Sequence, residues 1–155
     1  MNTLVVYDSK FGNTERVARV IAERLQRHGA VELTTADRAP LTISRALDLV
    51  VVGGPTQGHG VSPALRTWLQ AVEPVDGVRA AAFDTRFAKP RWLTGSAGQV
   101  IARRLGRLGF RMVRDPESFF VAHTDGPLLD REPERATDWA ATLANELITA
   151  ASFLR

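Results

Sequence analysis

The chain contains no cysteine, which excludes disulfide scaffolds and Cys-ligated zinc or iron–sulfur centres. It has only two lysines, Lys10 and Lys89, so nearly all of its positive charge is arginine. No apolar run approaches the roughly 20 residues of a membrane-crossing helix. The stretch Met1–Tyr7 lacks the basic region and cleavage site of a signal peptide and reads as a strand, so the expected compartment is the cytoplasm. Internal repeats, low-complexity tracts and linkers are also missing. What remains is ordinary for a globular protein: 155 residues, 45% hydrophobic and 24% charged, which predicts one domain over residues 1–155. The net charge of +3 would favour acidic partners at long range, although a general preference for Arg and Ala accounts for it as well.

Strand-like and helix-like segments alternate along the chain. Leu4–Tyr7 is a short run with β-branched residues. Val17, Val20, Ile21 and Leu25 recur at helical spacing, with His28-Gly29 as a stop. Val31–Thr35 alternates like a strand, and one helical turn is expected around Ile43–Leu47. Leu49–Val52 is apolar without alternation, as a strand covered on both faces should be. Ser62-Pro63 opens a helix with Leu65, Trp68, Leu69 and Val72 on its inner face. Val78–Phe83 reads as the fourth strand, and Ser96 caps a helix through Leu108. Phe110–Val113 and Phe119–Ala122 read as two pieces of a fifth strand, interrupted around Asp115-Pro116. Pro133 opens a last helix whose inner face includes Trp139 and Leu143. Five β/α units predict a parallel sheet with helices on both faces, a three-layer α/β/α sandwich.

Ligands in such sheets bind beyond the carboxyl ends of the strands, where strand order reverses, which directs attention to three loops. The first, Asp8-Ser9-Lys10-Phe11-Gly12-Asn13-Thr14, offers hydroxyls, an amide and the free N–H groups of a helix start. Such a turn suits a phosphate without a cation, and it equally suits an ordinary helix cap. It matches neither the nucleoside-triphosphate loop nor the dinucleotide fingerprint. The second, Gly53-Gly54-Pro55-Thr56-Gln57-Gly58-His59-Gly60, has four glycines in eight residues. That is entropically costly unless the chain must pass close to a flat ligand or reorient a peptide. The third, Asp84 to Ser96, is long; Phe87 and Trp92 are candidates to cover an aromatic ligand, and Asp84, Thr85 and Thr94 to bond its edge.

Ser9-Lys10-Phe11-Gly12-Asn13-Thr14 after a first strand resembles the phosphate-binding signature of the flavodoxin family, commonly [ST]-x-[ST]-G-N-T. The similarity extends over the whole chain and is of the short-chain kind. It implies a five-stranded sheet of order 2-1-3-4-5, one non-covalent FMN and a role in electron transfer with a redox partner protein or a small-molecule acceptor. The implied FMN site comprises Ser9, Lys10, Phe11, Gly12, Asn13 and Thr14 at the phosphate, and Pro55, Thr56, Gln57, Gly58, His59, Gly60, Asp84, Thr85, Arg86 and Trp92 at the ring. Within it, Gly58 is the candidate for a peptide that reorients to bond the reduced flavin, with Gly60 behind it. Three departures stand out. Phe11 replaces a hydroxyl residue, Asp84-Thr85-Arg86 replaces the usual Gly-Asp with a stacking Tyr, and the chain is basic where flavodoxins are usually acidic.

In a first reading, Arg86 and Arg91 stabilise negative charge on the reduced flavin of an electron carrier. A second is an FMN-dependent reductase of quinones or similar acceptors, with Arg86, Lys89 and Arg91 attracting the phosphate of NAD(P)H. A third is a binding module of the same fold that has lost FMN. Arg103, Arg104, Arg107, Arg111 and Arg114 form a basic cluster, but without interleaved aromatics a solvated helix face is expected there rather than a nucleic-acid site. The three histidines show no metal-ligand spacing, and no metal is expected.

Overall fold

A computed structural model describes residues 1–154. In chain order it contains β1 (Thr3–Tyr7), α1 (Asn13–Leu25) followed by a 3-10 turn at Gln26–His28, β2 (Val31–Thr35), β3 (Leu49–Pro55), α2 (Pro63–Ala71), β4 (Arg79–Phe87), α3 (Arg91–Thr94), α4 (Ala97–Arg107), β5 (Arg111–Met112), β6 (Glu117–Val121) and α5 (Glu132–Phe153). The strands pair in parallel in the order β2-β1-β3-β4-β5, with β6 also on β4. β5 pairs with Arg79 and Ala80, while β6 pairs with Phe83–Phe87. The fifth position is therefore filled by two strands in line, and the interruption expected around Asp115-Pro116 is where they part. The expected order 2-1-3-4-5 and three-layer architecture are what the chain adopts.

Alternation along the central strands sends successive residues to opposite faces of the sheet. Leu4, Val6, Val50, Val52, Ala80 and Ala82 meet Leu65, Trp68 and Leu69 of α2 and Ile101 and Leu105 of α4. Val5, Val51, Ala81 and Phe83 meet Val17 and Ile21 of α1 and Trp139, Ala140 and Leu143 of α5. On the second face the rings of Phe83, Phe119 and Trp139 pack edge to face, with centroids 6.0–6.1 Å apart. That trio joins β4, β6 and α5.

Two expectations need correcting. No helix forms at Ile43–Leu47; the β2–β3 connection is irregular and is held by buried Ile43 and by the Trp68 indole donating to Pro40 O at 3.1 Å. An anchor of that kind substitutes for a covering helix. β4 also runs four residues past Phe83, because β6 offers it a partner over that whole length. Asp84, Thr85 and Arg86 are consequently strand residues, and the loop begins only after Phe87. Among the described residues no helix is long and apolar enough to cross a membrane.

Candidate functional site

All strands being parallel, β1, β3, β4 and β6 end on one edge of the sheet, and a cleft of about 670 Å³ opens there. Its volume lies within the range of small-molecule and cofactor sites. One end is the turn after β1, with Ser9, Lys10, Phe11, Asn13 and Thr14. The middle is Pro55–His59 from β3 and its hairpin. The far wall is Thr85–Phe87 of β4 with Lys89, Leu93 and Thr94, closed by Val121 at the end of β6 and Thr124 beyond it.

The turn leaves helix α1 open to an anion. Its N-cap is Gly12 in the left-handed region, which offers no side-chain acceptor to the first-turn N–H groups. Ser9 Oγ instead accepts from Gly12 N at 3.1 Å, which tightens the turn. Unpaired N–H groups and the positive end of the helix dipole thus face the cleft. The Thr14 hydroxyl is buried and lies 2.7 Å from the Thr85 hydroxyl. Glu15 would oppose an anion in this first turn, yet its Oε1 is held by the Tyr7 hydroxyl at 2.9 Å and by Arg19 at 3.1 Å. Those two donors, Tyr7 first, keep the Glu15 carboxyl below the ordinary glutamate range. The Tyr7 phenol is raised, chiefly by burial and then by its bond to Glu15.

Residues Gln57–Gly60 close a tight hairpin. Gln57 N donates to Gly60 O at 2.8 Å and Gly60 N to Gln57 O at 2.9 Å. The two central residues, Gly58 and His59, have φ of 53° and 67°, the pairing that a type I′ turn demands. The hairpin is tied to the opposite wall: His59 Nε2–H donates to Leu93 O at 2.9 Å, and Thr56 N donates to Thr85 O at 2.9 Å. A Cβ on Gly95 would stand 2.4 Å from the His59 backbone, so only glycine permits this seam. Gly53 and Gly54 have a different reason for being glycine: their Cβ atoms would strike the Phe83 ring and Leu65 at 2.1 Å, so helix and sheet packing exclude a side chain.

Arg86 is the knot of the far wall. Its Nε donates to Ser118 Oγ at 2.9 Å, and one terminal nitrogen donates to Phe87 O, Lys89 O and Thr94 Oγ1. Asp84 Oδ1 lies 3.9 Å away and the Phe120 ring 5.2 Å. Burial lowers the Arg86 guanidinium from the usual arginine value, with Asp84 opposing and Arg91 reinforcing the shift. So many internal partners bind this guanidinium that it is not a free cation for a nucleotide phosphate.

Of the residues expected at the site, the cleft is lined by Ser9, Lys10, Phe11, Asn13, Thr14, Pro55, Thr56, Gln57, Gly58, His59, Thr85 and Arg86. Gly12 stands behind the turn as the helix cap, and Gly60 faces outward into a neighbouring groove. Asp84 is fully buried, and its Oδ2 accepts from Ser96 Oγ at 2.6 Å and Gly98 N at 2.9 Å, bracing the start of α4 rather than reaching the cleft. Trp92 lies on α3, 81% exposed and outside the lining. Phe87 and Thr94 do reach it. Leu93, Val121 and Thr124 were not foreseen; the rule that carboxyl strand ends carry sites, applied to the fifth strand as well, would have found the last two.

The flavodoxin family profile matches residues 5–115. A flavodoxin of Clostridium saccharobutylicum is 30% identical over 89 residues, which cover 55% of this chain and 56% of that protein, so the match spans little more than half of its length. The structure of oxidised flavodoxin 2 from Bacillus cereus superposes with a TM-score of 0.77 at 21% identity, over 94% of this chain and 99% of that one. The flavodiiron protein of Giardia intestinalis does so at 0.74 and 19% identity, over 96% of this chain but only 36% of its own. With the family profile matched across most of the chain, and the fold to go with it, the chain belongs to the flavodoxin family, whose members are FMN-binding electron-transfer flavoproteins.

Proposed function

We propose that this protein holds one FMN non-covalently in the cleft at the carboxyl ends of β1, β3, β4 and β6 and exchanges electrons with a separate redox partner. The observation that carries the reading is the uncapped start of α1 beside a cleft of about 670 Å³. The donor set fits a phosphate ester at one end and a flat ring at the other. Backbone N–H groups of Asn13 and Thr14, the Thr14 hydroxyl and the Ser9 hydroxyl face the headgroup, and Lys10 adds long-range attraction. The mostly apolar remainder, with Pro55, Phe87, Leu93 and Val121, suits a ring system.

When bound, FMN supplies the redox chemistry. The chain's contribution is placement and electrostatics. The hydrogen bond from His59 to Leu93 O ties the hairpin to the far wall and so fixes the distance between them. Gly58, in the left-handed region at φ 53° and without a Cβ, is the residue whose peptide can turn toward or away from the ring at least steric cost. Phe11, half exposed at the mouth, replaces a hydroxyl donor with an apolar cover, and Lys10 Nζ lies 5.3 Å over its ring.

Addition of the protein to FMN should quench the flavin fluorescence to a sharp 1:1 end point. Free fluorescence that persists at excess folded protein would overturn the assignment and leave a flavodoxin fold serving another purpose.

A further inference from the structure

Charge is distributed unevenly between the two outer layers. Helices α1 and α5 together carry six carboxylates against four arginines. Helices α2 and α4, on the other face, carry Arg66, Arg103, Arg104 and Arg107 and no carboxylate at all. These four arginines line a single open groove of about 370 Å³ between the two helices, with Val100 contributing exposed apolar surface. Among the described residues none of the four forms an ion pair; Arg104 alone is anchored, by Nε donating to Leu69 O at 3.1 Å. The groove ends at Gly60. Gly58 and His59 of the same hairpin line the cleft, so the four-residue turn is the wall between groove and cleft.

We propose that the α2–α4 groove is the docking face for an acidic electron-transfer protein, one that presents a ridge of Asp and Glu side chains to these arginines. The claim rests on the reading of the cleft as the FMN site, because its functional point is distance: carboxylates seated in the groove hold the partner against the hairpin that borders the cofactor. A concentration of unpaired arginines on one layer steers an acidic partner to that layer and repels a basic one. Guanidinium forks match carboxylates two bonds at a time, and the apolar groove surface gives the partner something to bury besides charge. One electron passes per encounter: the ferric centre of an oxidised acceptor becomes ferrous, and the reduced cofactor loses one electron.

The test uses the FMN-loaded protein, photoreduced, with two acceptors of opposite charge: an acidic [2Fe–2S] ferredoxin and basic cytochrome c. Stopped-flow rates should be higher for the ferredoxin at low salt and fall as salt rises, and slower for cytochrome c with the reverse dependence. R103E and R107E should each lower the ferredoxin rate about tenfold, while R27E, an equal charge change on an exposed residue of the other layer, should alter it little. Circular dichroism and FMN uptake of the variants should match the parent, since neither side chain reaches the cleft. Equal losses from R27E and R103E would overturn the proposal, as would a ferredoxin rate indifferent to salt. A short DNA duplex that binds the groove as tightly as the ferredoxin at physiological salt would overturn it too. A protein that takes up no FMN sinks the cleft reading instead. The docking claim is then decided by association with oxidised ferredoxin, which must weaken in R103E and not in R27E.

Discussion

The Thr14 and Thr85 hydroxyls are 2.7 Å apart, and only one of them can donate to the other. When Thr85 donates to Thr14, the Thr14 proton is left for the cleft and the proposed phosphate. Thr14→Val removes that donor and should weaken FMN binding about tenfold or more, the order of one hydrogen bond to a charged group. Fluorescence titration of the variant checks this; an unchanged affinity would place the phosphate elsewhere. Tyr7 and Glu15 give a second prediction at this scale. Glu15 lies below its ordinary pKa in the folded state, so its contribution to stability is present above the usual glutamate range and lost as pH falls through the folded value. Tyr7 is raised, so the same bond is lost as pH rises through the folded phenol value. Tyr7→Phe should therefore return the Glu15 carboxyl upward in an NMR titration, and the stability gap between parent and variant should narrow in acid. A Glu15 titration identical in both would contradict the pairing. The turn at the start of α1 was legible as a cleft-lining element, because Ser, Gly, Asn and Thr at a helix start carry their chemistry locally. The place of Asp84 was not legible. A carboxylate next to a strand end looks like a ligand group in sequence, and only the approach of Ser96 and Gly98 across the loop shows that it is already engaged.

Elements of this protein are joined by a few groups that span several of them. Arg86 binds β4 to Ser118 of β6 and to the loop and α3 at Lys89 and Thr94. Arg86→Ala strips those acceptors of their donor and leaves buried Asp84 without its nearby cation, so it should cost about 2–4 kcal/mol in urea unfolding. A change below about 0.5 kcal/mol would mean that the knot is ornamental to stability. On the opposite face the Phe83–Phe119–Trp139 trio does the equivalent work with apolar surface. Phe119→Ala opens a cavity among fully buried neighbours and should cost about 3–5 kcal/mol, measured in the same way. A small loss there would show that α5 can collapse into the space. Helical periodicity and strand alternation located α1, α2, α4 and α5 and the two-part fifth strand. They did not locate the end of β4, because pairing with β6 rather than local preference carries it through Asp84-Thr85-Arg86. They also suggested a turn of helix at Ile43–Leu47, where a tertiary anchor, Trp68 to Pro40, holds an irregular connection instead.

Across the whole molecule the sheet order places every carboxyl strand end on one edge, and the proposed cofactor site follows from that geometry more than from any single side chain. The alternation of short apolar strands with amphipathic helices was enough to read the architecture, since each layer must bury one face. The uneven charge between layers was visible only as a net surplus, because sequence distance does not show that Arg66 on α2 and Arg103 on α4 share a groove. The central claim is that uncharged donors at the start of α1 grip the phosphate of the cofactor. It is tested most directly by comparing the affinities of FMN and riboflavin for the folded protein under identical conditions. FMN should bind about a hundredfold more tightly or better, which corresponds to two or so charge-assisted hydrogen bonds. Equal affinities for the two would contradict the account.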